Sequence, residues 1–270
     1  MAERALVRLV TAYGGIPEFV LLGGLVPDLL CRQSPLRHQG TTDVDLQVDL
    51  EIHPAAASGL RLESALKVAG FVPDKERVWR WHDRSSQGQV VKVEFLADLE
   101  DYPGLGVVTF EHCEALGAAN LRGTKFASLD WAVESVTSNI DGRTSSVLLR
   151  VASLPAFLLA KVHAAHGRHV QKDWYDIAFV LLHNDDGGPV AAARRVRHRF
   201  GDLLSGATAT ALDELTANFA DSSAQGSLAY ATTMVSMYPE VDEDLMANDA
   251  VAAVQMFAHE LFRFKSNEAY

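Results

Sequence analysis

Two aspartates, Asp43 and Asp45, stand two positions apart in the stretch TTDVDLQVDL, and Asp49 follows on the same alternation. Alternation is the period of a strand, so these carboxylates are expected on one face. Val44, Leu46, Val48 and Leu50 then take the other, which reads as the core face. Like charges gathered on one face are unfavourable unless something positive offsets them. Two accounts fit the stretch by itself. One is an edge strand with a solvated acidic face, and the other is a metal site built from Asp43 and Asp45.

The residues upstream and downstream bear on that choice. A glycine pair, Gly23-Gly24, separates the apolar run EFVLL from LVPDLLCR. Glycines between a strand and a helix let a ligand approach the backbone, and helix N-terminal amides favour phosphate. A tight turn that needs positive φ explains the same pair. Farther on, VVKVEFLAD alternates so that Val91, Val93 and Phe95 face one way and Lys92, Glu94 and Leu96 the other. Mg²⁺ or Mn²⁺ takes hard oxygen ligands and usually shares them with substrate phosphates. Asp43 and Asp45 beside a glycine turn, with Glu94 as a third carboxylate, would supply both halves of a metal–nucleotide site. A solvated strand position is the plainer account of Glu94, and Asp98 is expected in the turn after its strand.

The elements that must position these residues divide the chain at about residue 151. Before it, a helix over 3–13, a strand at 18–22, a short helix after Gly24 and the acidic strand are expected in order. A helix over 55–69 follows, with Leu60, Leu62, Leu66 and Ala69 as its apolar positions. RVWRWHD and QVVKVEFLAD read as strands around RSSQG, a hairpin loop, and SSVLLRVA is the clearest late strand. After Ser153 the pattern turns helical. SLPAFLLAKVHAAHG has a Ser N-cap and Pro155 in its first turn. KDWYDIAFVLLH is a second helix, with Asp173 as its N-cap, and 189–265 is Ala-rich and strand-poor. The expected fold class is therefore α/β (α+β). A mixed-sheet domain flanked by helices spans 1–151 and a helical bundle spans 152–270.

Composition sets the boundaries of function. The 270 residues are 48% hydrophobic and 22% charged, which is ordinary for a soluble globular protein. No apolar run reaches the roughly 20 residues a membrane helix needs. Cys31 and Cys113 are the only cysteines, so a disulfide framework and a cysteine zinc site are both excluded, and a cytoplasmic protein is the default. The formal net charge of −11 argues against a generic nucleic-acid coat. The charge is uneven, however. From Gly201 to Phe262 ten Asp and Glu appear without a Lys or Arg, whereas Lys161 to Arg199 holds seven Lys and Arg against four Asp.

The segments LLGG, TTDVDLQV and VKVEF, in that order, resemble the nucleotidyltransferases of the DNA polymerase β superfamily. That signature is a Gly-Gly or Gly-Ser turn, an Asp-x-Asp on the next strand and an acidic residue on a later strand. LAKVHAAHGRHVQKDWYDIAFVLL resembles the segment K-x-x-A…R…KD-x-x-D that follows the core in the abortive-infection toxin nucleotidyltransferases, the AbiEii/MenT-like group. Together the matches cover 18–50, 90–96 and 158–182. Two departures stand out. Eighteen residues separate Gly24 from Asp43, a long spacing for the superfamily, and Gln39 occupies a position where relatives often carry Arg, with Arg37 and His38 beside it.

The resemblance implies an NTP substrate, Mg²⁺ or Mn²⁺, and transfer of a nucleoside monophosphate to an acceptor hydroxyl. It implies Asp43, Asp45 and Glu94 as metal and catalytic residues, and Gly23, Gly24 and Thr42 as nucleotide-binding. On a helix Lys161, Ala165 and Arg168 share one face, so Lys161 and Arg168 are expected to neutralise triphosphate, with Asp176 pairing with one of them. A surface lysine and a simple Lys172–Asp176 ion pair are the plainer accounts of the same residues. The acceptor is expected to be tRNA or a protein, with a cognate antitoxin and no membrane. Two alternatives remain. One is modification of a small cationic drug of the aminoglycoside type, and the other is a non-catalytic module that binds a nucleotide or a partner.

The other conspicuous residues have plainer readings. Trp79 and Trp81 read as packing rather than base stacking. His163, His166 and His169 drift around a helix with no carboxylate cluster. RRVRHR at 194–199 is a solvated helix face or an RNA contact. His38 is a polar loop residue or a phosphate ligand.

Overall fold

A computed structural model describes residues 1–48, 56–83, 90–100, 106–110, 112–140 and 142–263. Asp49, Leu50 and the RSSQG loop lie outside the described residues. The chain divides into two units. One comprises Met1–Val26 with Gly40–Ser153, and the other Pro27–Gln39 with Leu154–Tyr270. The single cut expected at 151/152 thus lies close to one crossing. The segment Pro27–Gln39, expected within the sheet domain, belongs with the helices.

The first unit is built on a mixed sheet. It opens with α1 (Ala2–Tyr13), β1 (Val20–Leu22) and α2 (Val26–Leu30), of which only Val26 belongs to this unit. Then come β2 (Asp43–Gln47), α3 (Ala56–Val68), β3 (Phe71–Pro73), β4 (Arg80–Asp83) and β5 (Lys92–Ala97). β6 (Val107–Thr109), β7 (Gly117–Asn120), α4 (Lys125–Leu129), β8 (Trp131–Ile140) and β9 (Arg143–Ala152) complete it. The strand order is β3-β4-β5-β2-β1-β9-β8, with β7 pairing both β5 and β6. β2 runs parallel to β5 and β1 parallel to β9, and most other pairings are antiparallel. Val44, Leu46, Val93, Phe95 and Trp81 are fully buried, so the apolar half of each alternation faces the core as its sequence predicts.

Three local expectations are corrected. Leu60 is exposed while Leu62 and Leu66 are buried, because α3 turns only one stripe inward. The sequence of residues 105–151 predicts a mixture of short strands and turns. Nearly half of that span is instead one hairpin, β8 paired with β9 over ten residues each. The spacing of Trp79 and Trp81 predicts one shared strand face, but Trp79 lies just before β4, and Trp81 within it is wholly buried.

The second unit is helical. α5 (Leu154–Arg168) and α6 (Gln171–His183) pack together, and α7 (Gly188–Phe200), α8 (Ala207–Asn218), α9 (Gln225–Met237) and α10 (Glu243–Phe262) surround them. Trp174, Tyr175, Phe179, Phe219, Tyr230 and Phe257 form its core. The N-cap of α6 is Val170 rather than Asp173. Asp173 sits in the first turn, where its carboxylate is taken by cations from α5 instead of by its own helix N-terminus.

Candidate functional site

The sheet unit carries the acidic group. The parallel register sets Asp43 opposite Lys92 and Asp45 opposite Glu94. Residues paired across neighbouring strands share a face. Asp43, Asp45, Lys92 and Glu94 therefore stand on one side of the sheet, opposite the buried Val44, Leu46, Val93 and Phe95. The group carries cations with its anions. Lys92 Nζ lies 3.6 Å from Asp43 Oδ1, and both side chains are about one-third exposed. The Asp43 N–H is bonded to the Thr41 hydroxyl at 3.0 Å, and the Thr42 hydroxyl lies 3.5 Å from Asp43 Oδ1.

Glu94 shares the face of the two aspartates, but its carboxylate is drawn toward β4. Antiparallel pairing sets Arg80 opposite Glu94. Arg80 Nε donates to Glu94 Oε1 at 2.5 Å, and an Arg80 terminal nitrogen contacts the same oxygen. Glu94 Oε2 takes no part in that fork. Among the described residues, no three metal-ligating side chains stand together as a ready metal cluster. Asp98 accepts from the Gly123 and Lys125 N–H groups, at 2.7 Å and 3.3 Å, so it ties down the turn before α4.

The glycine pair is explained from the same unit. Gly23 has φ +81°, and a Cβ there would meet Asp45 Oδ2 at 1.9 Å. A Cβ on Gly24 would meet Thr41 Cβ at 2.7 Å. Gly23 is thus glycine for two reasons: its backbone is left-handed, and the Asp45 carboxylate lies against its Cα. The turn after β1 and the carboxylate on β2 are fitted to one another.

The helical unit carries a second charged group. Lys161 Nζ is 2.6 Å from Asp176 Oδ2 and 3.1 Å from Asp173 Oδ1. Arg168 grips Asp173 with two nitrogens, at 2.7 Å and 2.8 Å. Asp176 Oδ1 also receives Lys172 Nζ at 2.9 Å and His38 Nε2 at 2.8 Å. The pairing expected of Asp176 with Lys161 is present, as is the plainer pair with Lys172, while Arg168 goes to Asp173. The side chains of Asp176 and His38 are wholly buried. Burial opposes ionising Asp176, but Lys161, the His38 hydrogen bond and Lys172 outweigh it and hold the carboxyl far below the usual range. Asp173 is treated the same way: burial raises it, and Lys161 and Arg168 bring it down on balance.

Reading the residues one by one missed His38 and Arg80 as members of these groups. His38 stacks on Tyr175 with ring centroids 5.0 Å apart and meets Phe179 edge-on at 5.2 Å. Its partner is 138 residues away in sequence, beyond the reach of any local pattern. Arg80 leaves a faint signal, since it alternates with the buried Trp81 and so falls on the charged side of β4. The remaining candidates are absorbed locally. His166 and His169 both contact Glu214 of α8, and His163 contacts Thr208. Arg194 and Arg197 pair with Glu260, and Arg195 with Asp186.

No curated protein sequence matches this chain significantly. A solved structure of an antigenic nucleotidyltransferase-like protein from Paracoccidioides brasiliensis aligns over 93% of each chain. At 16% identity and a TM-score of 0.35, that likeness carries no argument. Among sequence families, the one described as "Nucleotidyl transferase AbiEii toxin, Type IV TA system" matches residues 4–257. That span holds both charged groups, and with it the chain belongs to the AbiEii nucleotidyl transferase toxin family.

Proposed function

We propose that this nucleotidyltransferase moves a nucleoside monophosphate from an NTP to an acceptor hydroxyl, and that Asp43 and Asp45 hold a divalent ion for it. One observation carries the reading. The β2–β5 register gathers Asp43, Asp45 and Glu94 on one face, with the Asp45 carboxylate seated on Gly23. Hard, partly exposed carboxylates suit Mg²⁺ or Mn²⁺ in chemistry and in access. When bound, such an ion neutralises developing charge on the phosphates.

The residues of the chain have distinct tasks in this reading. Asp43 and Asp45 hold the cation. Gly23 and Gly24, with Thr42, form the backbone and hydroxyl edge that receives phosphate. Glu94, through the oxygen outside the Arg80 fork, completes the acidic set and accepts the acceptor's hydroxyl proton. The acceptor oxygen bonds to the α-phosphorus, the α–β bridging bond breaks, and pyrophosphate leaves with the electron pair. Lys161 and Arg168 bind nucleotide, with Asp173 and Asp176 holding their charged heads in place.

For the acceptor, the toxin family favours tRNA or a protein, and a cognate antitoxin restrains the reaction. NTP and those acceptors place it in the cytoplasm. No helix of the described residues is long and apolar enough to cross a membrane.

The deciding experiment incubates purified protein with each α-³²P NTP, Mg²⁺ and total RNA, beside an Asp45→Ala variant. Label that enters RNA with the parent and not with the variant supports an RNA acceptor and names the nucleotide. Label confined to protein moves the acceptor to protein. Equal labelling by parent and variant overturns the assignment of Asp45. No labelling in RNA or protein, followed by labelling of an aminoglycoside, would overturn the macromolecular acceptor.

A further inference from the structure

Among the described residues the sheet ends in three strands, β3, β6 and β8, and they are built differently. One edge is β3, three residues long and ending in Pro73. Short edge strands and proline are established ways of refusing another strand. β6 is likewise three residues long and pairs with β7, whereas β8 runs ten residues and pairs continuously with β9 from Trp131↔Ala152 to Ile140↔Arg143 with no bulge. Its sequence, WAVESVTSNI, contains no Lys, Arg, Pro or Gly, and its only charge is Glu134. It is rich in strand-forming residues. Among the described residues β9 is its only strand neighbour.

The hairpin has one covered face and one open face. Val136, Leu149 and Val151 are buried on the side where α1 packs. On the other side Trp131 is 40% exposed, Val133 44% and Leu148 52%. Arg150 lies over the Trp131 ring at 4.5 Å.

We propose that β8 is the interface for a second copy of this chain, joined edge to edge in antiparallel fashion across a two-fold axis. The choice of occupant follows from charge. Two chains of net charge −11 repel in general. β8 offers each copy a ten-residue strip with a single acid. Antiparallel pairing centred on Ser135 sets Val133 opposite Thr137 and Glu134 opposite Val136, so no like charges meet. Self-complementarity of one strip is what an isologous dimer requires. The same pairing uses the long edge of both copies. Among the described residues only the three-residue edges β3 and β6 are then left, too short to offer a further copy the same pairing, so growth stops at two.

The test is sedimentation equilibrium of the full chain from about 1 to 100 µM, with hydrogen exchange on β8. The expected result is a species of twice 29.4 kDa at the upper concentrations. The amides of β8 that face away from β9 should gain protection as it forms. Ser135→Lys brings two ammonium groups together at the axis and should raise the dimer dissociation constant at least about tenfold. Val133→Lys provides a second variant on the same exposed face. Both should keep the far-ultraviolet circular dichroism of the parent, since neither side chain is buried. A parent that remains a monomer overturns the proposal. So does a dimer that both variants leave intact, or a mass that rises past two chains. Strong β8 protection in a monomer also overturns it, because the edge is then covered from within the chain.

Discussion

Aspartates two or three positions apart meet cations in both units, yet the two groups are built to opposite ends. On the sheet, Asp43 is about one-third exposed and its contact with Lys92 is long, at 3.6 Å. In the helices, Asp176 is wholly buried and meets three cationic or imidazole partners within 3 Å. Such an arrangement is bound as tightly as a core, and removing one member strands the others in a dry place. The exposed pair is loosely neutralised, so under the proposed function a metal ion would displace the lysine at little cost. The same residue types thus stand half-open in one place and locked together in the other, and burial makes the difference.

Several changes test that contrast, beginning with the largest expected effect. Asp45→Ala should lower nucleotidyl transfer at least about 10³-fold, over 4 kcal/mol on the barrier. Its thermal midpoint should hold or rise, since a crowded carboxylate has gone. Rate assays and a melting curve on one sample check both halves. Asp176→Ala should do the reverse in stability, costing about 3–5 kcal/mol because Lys161, Lys172 and His38 lose a buried anion. Urea titration measures this. An unchanged midpoint would mean that the buried group is not what holds α5 to α6.

The pH dependence has a definite sign. The folded pKa of Asp176 and that of Asp173 lie below the unfolded value near 3.9. Their contribution is therefore complete above the unfolded value and fades as pH falls below about 4. Melting from pH 7 to pH 3 should show the gap between the parent and Asp176→Asn narrowing at the acid end.

Smaller effects refine the sheet side. Arg80→Met removes the fork on Glu94, and Mn²⁺ should then bind a few-fold more tightly by titration calorimetry. A weaker affinity would show that Arg80 positions Glu94 for the ion rather than competes for it. The smallest change is Arg195→Ala, which loses an exposed pair with Asp186 and should shift stability by no more than about 1 kcal/mol.

Much of the sheet is legible in the sequence because strand alternation is local. Val44 and Leu46 against Asp43 and Asp45, and Val93 and Phe95 against Lys92 and Glu94, fix two faces without reference to anything distant. The partners that modify those faces are not local. Arg80 reaches Glu94 only through an antiparallel register, and His38 reaches Asp176 only through tertiary packing. Residue type also misleads where two roles compete. Asp173 has the composition of an N-cap, but a buried Lys161 and a two-pronged Arg168 offer its carboxylate stronger partners than its own helix does. The strand at 131–140 hid for a different reason. Its exposed face carries Trp131 and Val133, so its hydrophobic alternation is blurred.

The excursion of Pro27–Gln39 bears on the order in which the protein is made. On the ribosome this segment emerges long before Leu154, the start of the rest of its unit. His38 must wait for Asp176, so the first unit can close its sheet while a strap of thirteen residues still lacks its home. A nascent chain released at about residue 155 should hold the strands together yet leave this strap open to protease. Later cleavage at the 153–154 junction of the finished protein would not by itself set the helices free, because the polypeptide passes between the units at three places rather than one.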